Sequence, residues 1–188
     1  MITDSSGRTF KKLRISLTHE CNYACVYCAV SAKTDHSQPQ NIQRNALPVK
    51  NVLSTGNLIE IIRKLHLELE LNAVRLTGGE PLLHPRITTI IKAINGLGID
   101  NIGMTTNGHM LHSKVDSLCE AGLKSVNISI DALSSETFRQ MSGHHGLSNV
   151  LKSIEASLRA GLKIKLNMVV VAGQNQHEIL PLLKYAPA

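Results

Sequence analysis

Tryptophan is absent from this chain, and aromatic residues make up only 3% of it. Binding of single-stranded nucleic acid leans on aromatic stacking faces, so that class of partner is not expected. No compact run of lysine and arginine occurs, although the net charge is +6. That surplus suits a small anionic substrate or simple solubility. No apolar run approaches the ~20 residues that cross a bilayer, and Met1, Ile2, Thr3 and the residues after them lack the apolar stretch of a signal peptide. Charged residues are sparse at 18% against 43% hydrophobic, over 188 residues. This is enough for one sizeable core, with no membrane partner expected.

Cysteine is scarce too, with four in the chain, yet three fall in Cys21-Asn22-Tyr23-Ala24-Cys25-Val26-Tyr27-Cys28. Thiolates at Cys-x3-Cys-x2-Cys spacing can hold three irons of a cubane cluster. Such clusters usually take four cysteines, so one iron would keep an open position where a small molecule can bind and react. The competing reading is structural zinc. Closed zinc sites use four ligands, usually as two separated pairs, and no second pair follows. Cys119 lies far away in a helix-like stretch and reads as a small buried apolar residue. His19 is too close to Cys21 to complete a set comfortably. Thiolate ligands must stay reduced, which points to the cytoplasm.

Beyond the cysteines, residues 29–54 are polar and irregular, with Pro39 and Pro48. The chain then alternates. Helical periodicity falls at 57–71, 84–97, 111–121, 137–141, 147–160 and 176–185. Strand character falls at 12–17, 73–77, 101–105, 125–130 and 163–171. Such alternation predicts βα units and a parallel sheet, with no domain boundary between residues 1 and 188.

Successive strand residues face opposite ways. Leu13, Ile15 and Leu17 oppose Arg14, Ser16 and Thr18. Val74 and Leu76 oppose Arg75 and Thr77. Ile102 and Met104 oppose Thr105 and Asn107. Val126, Ile128 and Ile130 oppose Asn127, Ser129 and Asp131. Ile164, Leu166 and Met168 oppose Lys165 and Asn167. A parallel strand covered by helices on both faces should be apolar throughout. A curved sheet removes the conflict, with helices outside and a wet lumen inside. That lumen would hold Arg14, Arg75 and Lys165 against Asp131. An antiparallel sheet with one solvated face is the alternative.

Ligands of parallel α/β folds bind at the carboxyl ends of the strands. The cysteine loop follows the first strand there. Thr77-Gly78-Gly79-Glu80-Pro81 follows the second. Its glycines allow close backbone approach to a ligand, and Glu80 adds an acceptor. Thr106-Asn107-Gly108 and Ser129-Ile130-Asp131 end the third and fourth. His19, His36, His144 and His145 are not expected to be metal ligands or catalytic bases.

The cysteine loop, Gly-Gly-Glu-Pro and the polar-faced half barrel resemble the radical S-adenosylmethionine (SAM) enzymes over nearly the whole chain. Ser6-Gly7-Arg8, Leu13-Arg14-Ile15-Ser16-Leu17-Thr18, Val74-Arg75-Leu76-Thr77, Asn127-Ile128-Ser129-Ile130-Asp131 and Lys165-Leu166-Asn167 are similar to MoaA-type GTP 3′,8-cyclases of molybdenum-cofactor synthesis. The resemblance implies a partial (β/α) TIM-like barrel, truncated after about five strands. It implies a [4Fe–4S] cluster on Cys21, Cys25 and Cys28, with SAM on the fourth iron. Tyr27, Gly78, Gly79, Glu80, Asn107 and Ser129 would then bind SAM, and Arg14, Arg75, Thr105 and Lys165 would contact GTP. One electron cleaves SAM to methionine and a 5′-deoxyadenosyl radical, which takes a hydrogen from the GTP ribose.

The resemblance further implies an electron donor such as a flavodoxin or ferredoxin, and it allows a homodimer. The cyclases also carry a second cysteine trio and a Gly-Gly tail, neither of which is found here. His19-Glu20 stands where Asp-Arg is common, and His84-Pro85 where Arg is usual. The chain is therefore expected to be the N-terminal part of such an enzyme, or a short relative acting on a peptide or another metabolite. A non-catalytic metal-binding domain is the remaining reading.

Overall fold

The structure is a computed structural model, and it describes residues 3–28 and 53–186. The expected irregular stretch at 29–54, with His36, Pro39 and Pro48, lies almost wholly outside the described residues. Five strands are present: β1 (Lys12–Ser16), β2 (Ala73–Thr77), β3 (Asn101–Thr106), β4 (Ser125–Ser129) and β5 (Lys163–Asn167). Between and after them lie α1 (Thr55–Leu69), α2 (Ile87–Gly96), α3 (Val115–Ala121), α4 (Ser135–Ser142), α5 (Leu147–Arg159) and α6 (Ile179–Tyr185).

Local chemistry sets the boundaries. Ser54 caps α1 by accepting from Asn57 N at 3.1 Å, and Ser134 caps α4 through Thr137 N. The α2 helix begins three residues later than its periodicity suggested. Glu80 first caps a short 3-10 turn, Pro81–Leu83, and Pro85 lacks the N–H that would carry helix through it. Strand β5 ends four residues early, because Val169 N and Val171 N donate to the Asp131 and Asn175 side chains instead of a neighbouring strand.

The sheet is entirely parallel, with strand order β1-β2-β3-β4-β5. This sequential order decides the layers. Crossovers between parallel strands are right-handed in nearly all proteins. When every crossover also steps the same way across the sheet, all helices fall on one face. Val74, Leu76, Ile102, Met104, Val126 and Ile128 point to that face and are fully buried with Ile90, Ile91, Ile94 and Leu118. The other face receives no helix among the described residues and carries the polar rows. The sheet is thus one wall of a partial barrel, as expected, and the antiparallel alternative is overturned by the pairing. Among the described residues no helix is long and apolar enough to cross a membrane.

Leu76, on the second strand with no exposed surface, should report on this one-sided core. Leu76→Ala is expected to cost about 2–5 kcal/mol from lost burial and the cavity left behind, read as a lower urea midpoint at unchanged slope.

Candidate functional site

The segment from Leu17 to Glu20 is sewn to the loop after β2. Leu17 N donates to Thr77 O at 2.9 Å, Gly79 N to Thr18 O at 2.7 Å, and Glu80 N to Glu20 O at 2.6 Å. A side chain at Gly78 would stand 2.5 Å from the Thr18 carbonyl oxygen, and one at Gly79 would strike that of Glu20. The two glycines therefore serve a close approach between two loops of the chain itself. The far side of the cysteine loop is tied to the end of α4, with Ala24 N donating to Ser142 O at 2.9 Å and Val26 N to Met141 O at 3.0 Å.

Held between these anchors, Cys21, Cys25 and Cys28 are each partly buried. Burial first, then the charges of Asp131 and Cys21, push the Cys25 thiol up to about 12. Cys21 Sγ accepts from Tyr23 N at 3.4 Å and from Asn107 Nδ2 at 3.8 Å. Among the described residues no three His, Cys, Asp or Glu side chains converge on one metal ion. A cubane makes no such demand, because each thiolate binds its own iron.

Glu80 is sunk rather than presented. It is 1% exposed. Its Oε1 accepts from Thr106 Oγ1 at 2.7 Å and Leu82 N at 3.1 Å, and its Oε2 from Asn107 N at 2.7 Å. Burial raises its pKa against the pull of these donors and of Lys114. By alternation Thr106 belongs to the helix-covered face, so this carboxylate lies on that side of the strand ends.

The bare face carries the cations. Arg14 and Arg75 are direct partners in register, and neither ion-pairs with a carboxylate among the described residues. Burial, then the charge of Arg14, lowers the pKa of Arg75. Its guanidinium lies across Gly103, where a side chain would collide with it, and its Nη1 donates to Asn127 Oδ1 at 3.5 Å. Thr105 aligns with Asn127, and Asn127 with Lys165. Thr105 Oγ1 and Ser125 Oγ are buried without a hydrogen-bond partner among the described residues. Such hydroxyls cost about 1–3 kcal/mol each until something bonds them, which marks this surface as prepared for a polar ligand. Ser129 pairs with Asn167 at the far end of the same face.

Asp131 departs from expectation. Alternation places it against the lumen cations as their balancing acid, but it is 5% exposed and its oxygens are occupied. Tyr27 Oη donates to Oδ2 at 2.6 Å and Val169 N to Oδ1 at 2.9 Å. Its backbone carbonyl accepts from Asn175 Nδ2 at 2.9 Å. It ties the cysteine loop to the ends of β4 and β5, and the cations have no carboxylate partner among the described residues. Burial, then the Asp131 hydrogen bond, raises the pKa of Tyr27.

One group escaped the sequence. Tyr23 stacks on His144 with ring centroids 4.8 Å apart, and His109 meets both edge-on. Burial, then the charge of His112, lowers the pKa of His109; burial, then the charges of His109 and His145, lowers that of His144. His144 Nδ1 is buried with no hydrogen-bond partner among the described residues. Tyr23 was visible inside the cysteine motif. Its partners come from loops more than eighty residues away, and no spacing rule joins them.

Comparison with known proteins gives a consistent picture. The sequence profile described as the Radical SAM superfamily matches residues 15–186. A GTP 3′,8-cyclase of Synechocystis sp. is 40% identical over 185 residues, covering 98% of this chain and 53% of that protein. One from Marinobacter nauticus is 37% identical over 186 residues, covering 98% and 53%. The crystal structure of Streptococcus suis SuiB bound to S-adenosylmethionine superimposes with a TM-score of 0.72 at 20% identity, covering 93% of this chain and 37% of that one. The chain spans about half the length of the curated relatives it matches.

Two outcomes follow from this geometry. Gly103→Ala should destabilise the chain by about 1–3 kcal/mol through overpacking. If the Arg75 guanidinium is what the new methyl meets, Arg75→Ala/Gly103→Ala will cost less than the sum of the single changes in urea unfolding. The histidine pair bears on pH. Their folded pKa values lie below the ordinary 6.5, so the unfolded chain takes up protons first. Their stabilisation is complete above 6.5 and is lost as pH falls through the folded values. His144→Asn should flatten that acid-side loss in urea midpoints measured across the range.

Proposed function

The chain belongs to the radical SAM superfamily, and from that premise we propose that it forms the cofactor-bearing half of a GTP 3′,8-cyclase. The paired Arg14 and Arg75, with no acid partner among the described residues, carry this reading. Two guanidiniums side by side repel each other, and an anionic ligand removes that penalty. A triphosphate supplies the charge, and guanidinium recognises phosphate oxygens through paired donors. Lys165 extends the cationic row. Thr105 and Ser125 offer hydroxyls with no partner among the described residues, suited to the sugar or base.

The cysteine loop fits a [4Fe–4S] cluster by its chemistry: three thiols at three-iron spacing on a loop fastened at both flanks. Tyr27, Gly78, Gly79, Asn107 and Ser129 ring the neighbouring strand ends and are proposed to receive SAM, with Glu80, its carboxylate turned inward, holding Asn107 from behind. When bound, cluster and SAM together supply one-electron reductive cleavage and a carbon-centred radical. The chain's own residues orient the nucleotide against that position. The helix-covered wall excludes water from one side. An external donor such as a flavodoxin or ferredoxin would provide the electron. The relatives are about twice as long, so full turnover is assigned to the longer protein, and SAM cleavage at most to these 188 residues.

Anaerobic reconstitution with iron and sulfide tests this. The expected product is a brown protein with about four irons per chain, whose reduced EPR spectrum changes when SAM is added. Arg75→Ala should keep that iron content and weaken GTP binding roughly tenfold or more, as loss of a charged hydrogen bond requires. One zinc per chain with no SAM effect would overturn the cluster. An intact cluster with no GTP affinity in the wild type would overturn the nucleotide and turn attention to a peptide or other metabolite.

A further inference from the structure

The buried Glu80 carboxylate and the Cys21 sulfur are linked through one residue. Asn107 gives its backbone N–H to Glu80 Oε2 at 2.7 Å. Its side-chain amide nitrogen then reaches Cys21 Sγ at 3.8 Å and Asn22 Oδ1 at 2.8 Å. The amide oxygen is occupied as well, accepting from His109 N at 3.0 Å. That bond settles which end of the amide faces sulfur, so an N–H donor is presented to the thiolate. Glu80 also accepts from Thr106 Oγ1, which in turn receives Gly108 N at 3.0 Å. The turn after β3 is thereby held on both sides of Asn107.

We propose that Asn107 tunes the reduction potential of the cluster through an N–H···S hydrogen bond to Cys21, and that Glu80 is the positioning residue that aims it. The inference rests on the cluster assignment made above. The reduced cluster holds one more negative charge than the oxidised one, and part of it resides on the thiolate sulfurs. A hydrogen-bond donor to a sulfur stabilises the reduced form more and raises the potential. Ligand-supporting groups of this kind act by fixing orientation, which the Glu80 bond provides for Asn107. Tyr23 N, donating to the same sulfur at 3.4 Å, is backbone and stays in place in any side-chain variant. The side-chain contribution is therefore separable.

The test is an EPR-monitored redox titration of the reconstituted chain. Wild type is compared with Asn107→Leu, Asn107→Ser and Glu80→Gln, with iron and sulfide counted in each sample. Leucine fills a similar volume without a donor, and serine is polar but too short to reach. Both midpoints should shift to more negative potential. Glu80→Gln also removes a buried acid, which by itself raises the midpoint, so its shift is compared with that of the same change in Asn107→Leu: the two shifts should differ, and equal shifts would overturn the positioning role. An unchanged midpoint in any Asn107 variant that carries four irons would overturn the tuning role. Loss of the cluster in every Asn107 variant would make the residue structural and overturn it equally. A wild-type chain that takes up no cluster would defeat the assignment on which the inference rests, and iron counting tells the two failures apart.

Discussion

The order of the strands governs everything else in this protein. Five parallel strands laid down in sequence, each crossover stepping the same way, force the helices onto a single face. A chain that reversed direction midway would have covered both faces and needed apolar residues on each. Here the described helices leave half of every strand uncovered, and those positions can carry Arg14, Arg75, Ser125, Asn127 and Lys165 without burying an unpaired charge in a core. The polar face is thus permitted by topology. Its cationic character is then a matter of which side chains occupy it.

Within that frame the cysteine loop gains its place by many small ties. Backbone bonds join it to the turn after β2 and to the end of α4. Tyr27 joins it to Asp131, and Asn107 to the turn after β3. The ties come from the second, third and fourth βα units, so the loop's position integrates the geometry of most of the sheet. Glu178 extends this logic, accepting from Leu133 N at 2.9 Å and Ser134 N at 3.2 Å where α4 begins. An acid supplied from the turn just before α6 thus braces the start of a helix whose other end holds the cysteine loop.

Much of this was legible from residue order. The period-2 alternation of strands such as Ser125-Val126-Asn127-Ile128-Ser129 announced the bare face, because alternation is a property of a single strand. The cysteine spacing and the glycine pair were legible for the same reason. What escaped depends on contacts between distant segments. Asp131 alternates with the lumen residues, yet its oxygens are taken by Tyr27 and Val169, and nothing local signals either partner. Glu80 sits in a motif that invites reading as an outward grip, yet Thr106 and Asn107 draw its carboxylate inward. The stack of Tyr23 on His144 joins three loops. Pattern reports which face a residue occupies, and only the folded chain reports what that residue spends its bonds on.

The close fit at Gly78 and Gly79 has an evolutionary reading. The space their missing side chains leave is filled by Thr18, His19 and Glu20, which are part of this chain. Selection on those glycines would persist in any descendant that kept the two loops in contact, even one that had abandoned radical chemistry altogether. A copy without the cysteines would still need both glycines to keep the two loops in contact. In a lineage of such proteins, the thiols record the chemistry and the glycine pair records the architecture.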